Sequence, residues 1–245
     1  ETNIVEWKKF TSGFSKLVYM SPERLMEERM INALQKLNIG LFVIDEAHCI
    51  SKWGPDFRPQ YSELSQLKKH FPNATIAAFT ATADKATRED IVTQLSDKNF
   101  KTIVKGFDRP NLSLNVAEKS DIKNALASIL MSKKGQSGII YCLSRNEVDT
   151  TALFLKEKGF NAIAYHAGKS AQDRKQAQNR FMTERATIMV ATIAFGMGVD
   201  KPDIRFVIHA SLPGSIEAFY QEIGRAGRDG QPSETIMFYG LQDLI

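Results

Sequence analysis

The sequence predicts an α/β fold of two lobes, each built on a parallel β-sheet. Short β-branched or aromatic runs alternate with helical patterns through the second half, and such alternation requires a parallel sheet with right-handed crossovers. In the first half, the apolar run 41–44 is typical of a buried parallel strand. Between the halves, Pro110 prevents a continuous helix and indicates a hinge at 107–111. We therefore expect a first lobe at 1–106 and a second at 107–245.

The first lobe is predicted to contain three helices and two strands. Ser21 followed by Pro22 is a helix start, because serine favours the N-cap and proline the first helical position. Asp84 is predicted to cap another helix that runs through Leu95. The remaining predicted elements are the strand 41–44, a helix around 61–70 and the strand 75–79.

The second lobe is predicted to alternate strands with helices. Ser144 with Glu147, and Ser170 with Asp173, have the serine-to-acid spacing of a capping box, which places helix starts at both serines. The predicted strands are 138–142, 162–165, 187–191 and 206–209, and the predicted helices are 146–158, 171–183 and 216–226.

Asp45 and Glu46 directly follow the apolar run, a position typical of a nucleotide site. Carboxylates at the carboxyl end of a parallel strand open into the crevice where α/β sheets bind ligands. An aspartate there can hold Mg²⁺, directly or through water, and a glutamate can activate water for attack on a phosphoryl group. Strand-end acids also serve as helix N-caps, so the pair alone leaves both interpretations open.

Trp53, Phe57 and Arg58 lie in the segment that follows, whose glycine and prolines favour a loop. Flat rings beside a guanidinium suit the stacking of unpaired bases, worth about 1–3 kcal/mol per base. The alternative is that the two rings fill a small core under the loop.

These segments, with others downstream, resemble the motifs of the RecQ family of DNA helicases. The resemblance covers almost the whole chain, and the order and spacing of the motifs make it specific. The matching segments are YMSPER 19–24 (motif Ib), DEAHCISKWGPDFRP 45–59 (motif II and the aromatic-rich loop), FTATA 79–83 (motif III), FDRPN 107–111 (the interdomain segment), GIIYC 138–142 with Ser144 and Arg145 (motif IV), AYHAG 164–168, VAT 190–192 through GMGVDKP 196–202 (motif V) and QEIGRAGRDG 221–230 (motif VI).

The resemblance implies two RecA-like lobes, the first of them incomplete. A phosphate-binding loop has the pattern G-x-x-x-x-G-K-[ST], and the Gly-Lys-Ser at 168–170 has Ile163 in place of its first glycine. We therefore expect a segment of a longer helicase that lacks the N-terminal P-loop portion and the C-terminal zinc and winged-helix modules. Such a segment would be inactive alone.

The family implies an ATP-dependent 3′→5′ DNA helicase that couples ATP hydrolysis to translocation and unwinding in DNA repair and recombination. Its implied cofactors are ATP and Mg²⁺, with zinc only in the missing C-terminal module, and its partners are single-stranded and duplex DNA. The alternative is a noncatalytic DNA-binding or interaction module that keeps the lobes without a P-loop. A GKT or GKS upstream of Glu1 in the intact gene product would favour the enzyme.

The resemblance also assigns roles to residues. Asp45 would hold Mg²⁺ through water, Glu46 would activate the attacking water, and Arg225 and Arg228 would meet the phosphates, Arg228 as the arginine finger. The other implied roles are coupling by His48, Thr80, Thr82 and Gln221, nucleotide binding by Gly198 and Asp200, and DNA contacts by Trp53, Phe57, Arg58, Arg109, Ser144, Arg145 and Thr192.

Several of these residues have structural alternatives. Arg225 and Arg228 could form a surface ion-pair network with Glu222 or Asp229. Thr80 and Thr82 could cap the helix near residue 84, and histidines 166 and 209 could be structural as readily as phosphate contacts.

Composition excludes other classes of protein. No apolar stretch approaches the roughly 20 residues that span a bilayer, and nothing resembles a secretory leader, so we expect no membrane partner. Two cysteines without metal-ligand spacing indicate a reducing compartment, and we expect the bacterial cytoplasm or nucleoid rather than a nucleus. The net charge of +4 permits binding of a polyanion without establishing it, and nothing indicates protein partners.

Overall fold

The computed structural model describes residues 2–51, 57–95, 100–106, 108–196 and 199–240. The chain divides into two compact units, Glu1–Lys105 and Gly106–Ile245, called unit 1 and unit 2 below. Within the described ranges, no helix combines the length and apolar character needed to cross a bilayer.

Unit 1 is built around a short parallel sheet. Its elements are α1 (Thr2–Thr11), α2 (Pro22–Leu25), α3 (Glu28–Leu34), β1 (Leu41–Ile44), α4 (Pro59–Ser62), α5 (Leu67–His70), β2 (Thr75–Ala78) and α6 (Lys85–Leu95), with 3-10 turns at Ala47–Ile50 and Glu63–Gln66. β1 and β2 pair in parallel, with Leu41 opposite Thr75 and Ile44 opposite Ala78. The helices pack on this pair through Ile31, Leu67 and Ile91, which are buried.

Some predictions for unit 1 are confirmed, among them the presence of a strand before the acidic pair, and others need correction. The strand 41–44 forms as predicted, but it is not the buried strand expected, because Leu41 and Val43 are exposed. The Asp84 side chain accepts the Thr87 amide at 2.7 Å and caps α6 as predicted. The helix predicted around 61–70 is a succession of α4, a 3-10 turn and α5. Ser21 precedes α2, but its side chain makes no capping hydrogen bond. α1 and α3 were not predicted.

Unit 2 is a six-stranded parallel sheet with helices on both faces. Its elements are β3 (Leu112–Glu118), α7 (Ile122–Met131), β4 (Ser137–Tyr141), α8 (Arg145–Glu157), β5 (Ala162–Tyr165), α9 (Ala171–Thr183), β6 (Ile188–Ala191), β7 (Ile204–His209), α10 (Ile216–Ile223) and β8 (Ser233–Tyr239). The strand order is β3-β8-β7-β4-β6-β5, and every neighbouring pair is parallel. The predicted α/β class with parallel sheets is therefore confirmed.

The two faces of this sheet are covered by different helices. Successive residues of a strand point to opposite faces, so Ile140 packs with α7 and α8 while Ile139 packs with α9 and α10. Both isoleucines are fully buried. Gly138 lies under the Phe206 ring, where a Cβ would come within 2.1 Å of a ring carbon, so only glycine fits there.

The helices of unit 2 that have local start signals are confirmed. Ser170 caps α9 by accepting the Asp173 amide at 3.1 Å, so the Gly-Lys-Ser at 168–170 is a helix start and not a phosphate loop. α10 ends at Ile223 rather than at 226, because the chain turns at Gly224, whose amide closes the helix on Tyr220. β3, α7 and β8 were not predicted.

Candidate functional site

The acidic pair lies in a tight turn at the carboxyl end of β1. Glu46 has φ 51° and ψ 43°, a left-handed conformation that is uncommon for residues other than glycine. The Asp45 Oδ1 atom accepts the Glu46 amide at 2.9 Å, and both carboxylates are exposed. Such a conformation costs about 1–3 kcal/mol and persists where surrounding contacts fix it. The turn thus directs both carboxylates away from the sheet.

Asp45 fits a magnesium site of the water-mediated kind. Mg²⁺ usually keeps several waters and takes one or two carboxylates together with substrate phosphates. Among the residues that the structure describes, no cluster of three or more His, Cys, Asp or Glu side chains could hold a metal by itself. A single exposed carboxylate at a strand end suits Mg²⁺ that arrives with a nucleotide.

His48 joins the acidic turn to the segment that follows β2. It is buried, and its Nδ1 atom lies 2.9 Å from Thr80 Oγ1 and 3.5 Å from Glu46 Oε2. The Thr80 hydroxyl donates to the Thr82 carbonyl at 3.0 Å and also accepts the Thr82 amide. Asp84 caps α6 by accepting the Thr87 amide, while the Thr80 hydroxyl is bound by Thr82 and His48. Because the His48 side chain contacts both Glu46 and Thr80, a change in the position of one of these residues can alter the contacts of the other.

The aromatic-rich loop is only partly within the described residues. Trp53 lies outside them. Phe57 is half-buried, and Arg58 is exposed, with its amide bound to the Cys49 carbonyl at 3.0 Å immediately before α4. The DNA contacts predicted for Trp53, Phe57 and Arg58 remain predictions.

In unit 2, Arg225 and Arg228 have separate partners. Arg225 donates to the Gly196 carbonyl, and a Cβ on Gly196 would lie 2.6 Å from Arg225 Nη2. Arg228 Nη1 lies 2.8 Å from Asp200 Oδ1, in a pair whose side chains are 38% and 82% exposed. Gly198 lies outside the described residues. Both motif VI arginines therefore contact the motif V segment.

The structure does not support the ion-pair network considered for these arginines. Asp229 pairs instead with Arg205 at 2.7 Å, and Glu222 pairs with His209 at 2.6 Å. His209 and Glu222 are both buried. The pair lies beside Gln221 in α10, whose coupling role remains a prediction.

The predicted DNA contacts Ser144, Arg145 and Thr192 share the carboxyl edge of the sheet. They follow β4 and β6, which are neighbours in the sheet, and so lie close together. Ser144 caps α8 by accepting the Glu147 amide at 3.1 Å, and Glu147 accepts the Ser144 amide in return. Arg145 is exposed at the first position of α8.

The turn after β5 supports Arg145 from the same edge. A Cβ on Gly168 would lie 3.1 Å from Arg145 Cδ, so the arginine lies across the glycine. His166 is buried; its Nδ1 accepts the Gly168 amide at 3.2 Å and its Nε2 lies 3.0 Å from Asp149 Oδ2. Partial burial opposes ionisation of Asp149, but hydrogen bonds from Lys169 and His166 hold its pKa below the ordinary value. His166 is therefore structural in this state.

Arg109 is not brought together with these residues. It precedes β3, and in a parallel sheet the segments before strands and the segments after strands lie at opposite edges. The five residues of β4 correspond to a separation of about 16 Å between the two edges. Arg109 instead donates to the carbonyls of Ala226 and Gly227 at 3.0 and 2.9 Å.

Sequence reasoning missed three residues that organise these sites. Asn111 binds Gly227, Asp149 holds His166, and Glu222 holds His209. Each is polar and lies within or beside a motif, but its partner is 13 to 116 residues away along the chain. Only tertiary packing reveals such pairs.

Comparison with known protein families agrees with this geometry. Residues 2–91 match the DEAD/DEAH box helicase family, and residues 121–230 match the helicase conserved C-terminal domain. Over 235 residues, 96% of the chain, it is 47% identical to an ATP-dependent DNA helicase RecQ of Pasteurella multocida and 48% identical to one of Haemophilus influenzae.

The chain belongs to the RecQ helicase family. It spans 37% and 38% of the lengths of those two RecQ proteins. Among solved structures, Saccharomyces cerevisiae Dbp5 bound to RNA and ADP BeF3 has a TM-score of 0.64 at 19% identity, with 87% of this chain and 58% of that one covered. That likeness concerns the fold and confirms RecA-like α/β architecture. The predicted family membership is likewise confirmed.

Proposed function

We propose that this RecQ chain is part of an ATP-dependent DNA helicase that moves 3′→5′ on single-stranded DNA and unwinds duplexes during repair and recombination. The observation that carries the proposal is the acidic turn, in which Asp45 and Glu46 are exposed while His48 connects Glu46 to Thr80. The curated RecQ relatives support the reaction type, since their names describe ATP-dependent DNA helicases.

In this proposal the two carboxylates have different tasks. Asp45 would hold Mg²⁺ through water, and the metal would supply charge neutralisation on the phosphates of ATP. Glu46, exposed beside it, would orient the attacking water and accept its proton. Arg225 and Arg228 would bind phosphate oxygens, and Asp200 with Gly198 would bind the nucleotide.

The DNA contacts in this proposal fall into two groups. Ser144, Arg145 and Thr192 share one edge of the unit 2 sheet and would bind successive backbone phosphates. Trp53, Phe57 and Arg58 would stack on unpaired bases. Coupling would run through His48, Thr80, Thr82 and Gln221, with the buried His48 exchanging hydrogen-bond partners as the nucleotide changes.

The test is Glu46→Gln in the full-length protein. This isosteric change removes the proton acceptor while keeping the turn, so DNA-stimulated ATP hydrolysis should fall by at least about 10²-fold, within the range attributed to a general base. Binding of a fluorescent ATP analogue should change less than about two-fold, since the base acts on water in the transition state. The measurements are steady-state ATPase, nucleotide binding and unwinding of a 3′-tailed duplex.

Glu89→Gln is a matched control, because Glu89 is an exposed glutamate of the same unit, and within the described residues its side chain makes a single surface pair, with Lys85 at 3.8 Å. It should leave all three measurements unchanged. A wild-type protein that binds DNA but neither hydrolyses ATP nor unwinds would favour the noncatalytic module instead.

We also propose that the 245-residue chain does not turn over ATP by itself, because its sequence contains no G-x-x-x-x-G-K-[ST] loop to cradle the phosphates. DNA-stimulated hydrolysis by this purified polypeptide would contradict that proposal.

We propose as well that the protein acts in the bacterial cytoplasm or nucleoid, as inferred from the sequence. The bacterial origin of two RecQ relatives supports this proposal.

A further inference from the structure

The loop that carries the two motif VI arginines is held by side chains from the start of unit 2. This loop, residues 225–228, is called the arginine loop. Arg109 Nη2 donates to the carbonyls of Ala226 and Gly227 at 3.0 and 2.9 Å. Asn111 Nδ2 donates to Gly227 at 2.9 Å and to the Gln231 carbonyl at 3.0 Å. Four hydrogen bonds therefore join two side chains to this loop and the turn after it.

These carbonyls need donors from outside the helix. α10 ends at Ile223, and carbonyls at and beyond a helix end have no partner within the helix. Charged donors make stronger hydrogen bonds than neutral ones, so a guanidinium on two adjacent carbonyls fixes the peptide planes between them. The peptide groups fixed in this way lie between Arg225 and Arg228.

Gly227 is the point of closest contact. Its φ is +57°, and a Cβ there would lie 2.5 Å from Asn111 Nδ2 and 2.8 Å from Ser233 Oγ. Its amide donates to the Ile204 carbonyl at 2.9 Å. The loop is thus bound on both its carbonyl and its amide sides, and the Arg109 and Asn111 side chains lie directly against it.

A DNA contact by Arg109 fits these observations less well. Its Nε atom lies 3.4 Å from Asn111 Oδ1, so the Nε and Nη2 donors point at Asn111 and at the arginine loop. Ser144 and Thr192 follow strands of the same parallel sheet and lie at its opposite edge. The Arg109 guanidinium is therefore bound to the arginine loop and lies away from the predicted phosphate contacts.

We propose that Arg109 and Asn111 are positioning residues for the arginine loop, acting on ATP hydrolysis through Arg228 and not through DNA binding. The inference rests on the proposed helicase function, in which Arg228 contacts the nucleotide. Arg109 lies only a few residues after Lys105, where unit 1 ends. The segment that begins unit 2 is therefore hydrogen-bonded to the arginine loop.

The experiment compares Arg109→Ala and Asn111→Ala in the full-length protein. Each should lower kcat of DNA-stimulated ATP hydrolysis by at least about ten-fold, because a misoriented arginine loses transition-state contacts. The dissociation constant for a fluorescein-labelled single-stranded oligonucleotide should change less than about two-fold, as expected for a residue that makes no phosphate contact. Arg109→Lys should restore only part of the lost rate, since one ammonium can donate to the two carbonyls but cannot also replace the Arg109 Nε contact to Asn111 Oδ1.

A double variant separates positioning from general damage. If Arg109 acts through Arg228, the variant carrying Arg109→Ala and Arg228→Ala should be no slower than Arg228→Ala alone. Arg180→Ala is the matched control: Arg180 is also bound by protein groups, Glu184 and Asn161, but on α9, and it should leave kcat and DNA affinity unchanged.

Three outcomes would overturn the inference. They are an unchanged kcat in both single variants, losses that multiply in the double variant, and a loss of DNA affinity with kcat intact at saturating DNA. The last would make Arg109 a DNA contact. Asn111→Ala keeps the test open if Arg109→Ala fails to fold. A wild-type protein without DNA-stimulated ATPase would instead refute the proposed function, so the two failures are distinguishable.

Discussion

The two motif VI arginines are held in ways that suit different tasks. Arg225 donates to a backbone carbonyl, and its Nε atom is buried without a hydrogen-bond partner among the described residues, which leaves that donor available to a further acceptor. Arg228 is paired with an aspartate that is 82% exposed. Exposed ion pairs contribute only about 0–1 kcal/mol, so Arg228 can leave Asp200 for a phosphate at little cost.

This difference predicts the behaviour of Arg228 variants. In the full-length protein, Arg228→Ala should lower kcat of ATP hydrolysis by at least about 10²-fold, because an arginine finger stabilises charge that develops in the transition state. Arg228→Lys should recover little of the loss, since a lysine lacks the planar fork. Steady-state ATPase at saturating single-stranded DNA and binding of a fluorescent nucleotide measure the two effects. A loss of nucleotide binding in proportion to rate would make Arg228 a ground-state ligand.

The residues of the candidate sites divide by how far their partners lie along the chain. Asp45, Glu46, Arg225 and Arg228 stand in contiguous motifs and could be found from sequence. Asn111 could not, because its partner Gly227 is 116 residues away and the contact depends on the β3–β8 pairing. The sequence also singles out Arg109, but a charged residue in a hinge gives no sign of the carbonyls that it binds.

Among the elements, the start of α8 combines a structural role with a predicted DNA contact. Ser144 uses an oxygen lone pair to accept the Glu147 amide, and its hydroxyl hydrogen can still be donated to a phosphate oxygen. A capping serine stabilises its helix by about 1 kcal/mol. The same side chain can therefore fix the helix that carries Arg145 and bind DNA.

Two capping serines distinguish these roles. Ser144→Ala and Ser170→Ala should each lower the free energy of unfolding by about 1 kcal/mol, because each removes the cap of a 13-residue helix. Only Ser144→Ala should also weaken binding of a single-stranded oligonucleotide, by about three- to ten-fold, as expected for one lost hydrogen bond. Urea titration of the 245-residue chain and fluorescence anisotropy provide the measurements. Equal DNA affinity in the two variants would leave Ser144 as a cap alone.

The contrast between local signals and contacts across long sequence separations also explains which helices and strands were predictable. α9 was predicted at its observed bounds, because its cap and helical periodicity are local. β3 and β8 were missed. The sequence of β3 alternates apolar and polar residues, but β3 is an edge strand with Leu114 and Val116 exposed, and β8 has no such alternation. Their pairing, Leu112 with Ser233, joins the two ends of unit 2. No local signal specifies a contact of that separation.

Across the whole molecule, the two units differ in how well they bury their sheets. Unit 1 leaves the strand residues Leu41 and Val43 54% and 56% exposed, and Phe79 is 59% exposed. An isolated two-stranded sheet is marginal in water, so unit 1 depends on its helices for stability. In unit 2, both faces of the central strands are covered, and Ile139, Ile140 and Val207 are fully buried. We therefore expect unit 1 to be the less stable.

Urea unfolding of the 245-residue chain should accordingly show two transitions. Both tryptophans, Trp7 and Trp53, belong to unit 1, so their fluorescence should change at a lower urea concentration than the far-ultraviolet circular dichroism, to which the larger unit 2 contributes most. Leu67→Ala should shift the fluorescence midpoint alone, and Leu126→Ala only the later part of the dichroism curve. Both leucines are buried, and each substitution should cost about 2–5 kcal/mol in its own unit. Coincident midpoints by both probes, moved together by either variant, would show that the chain unfolds as one cooperative unit.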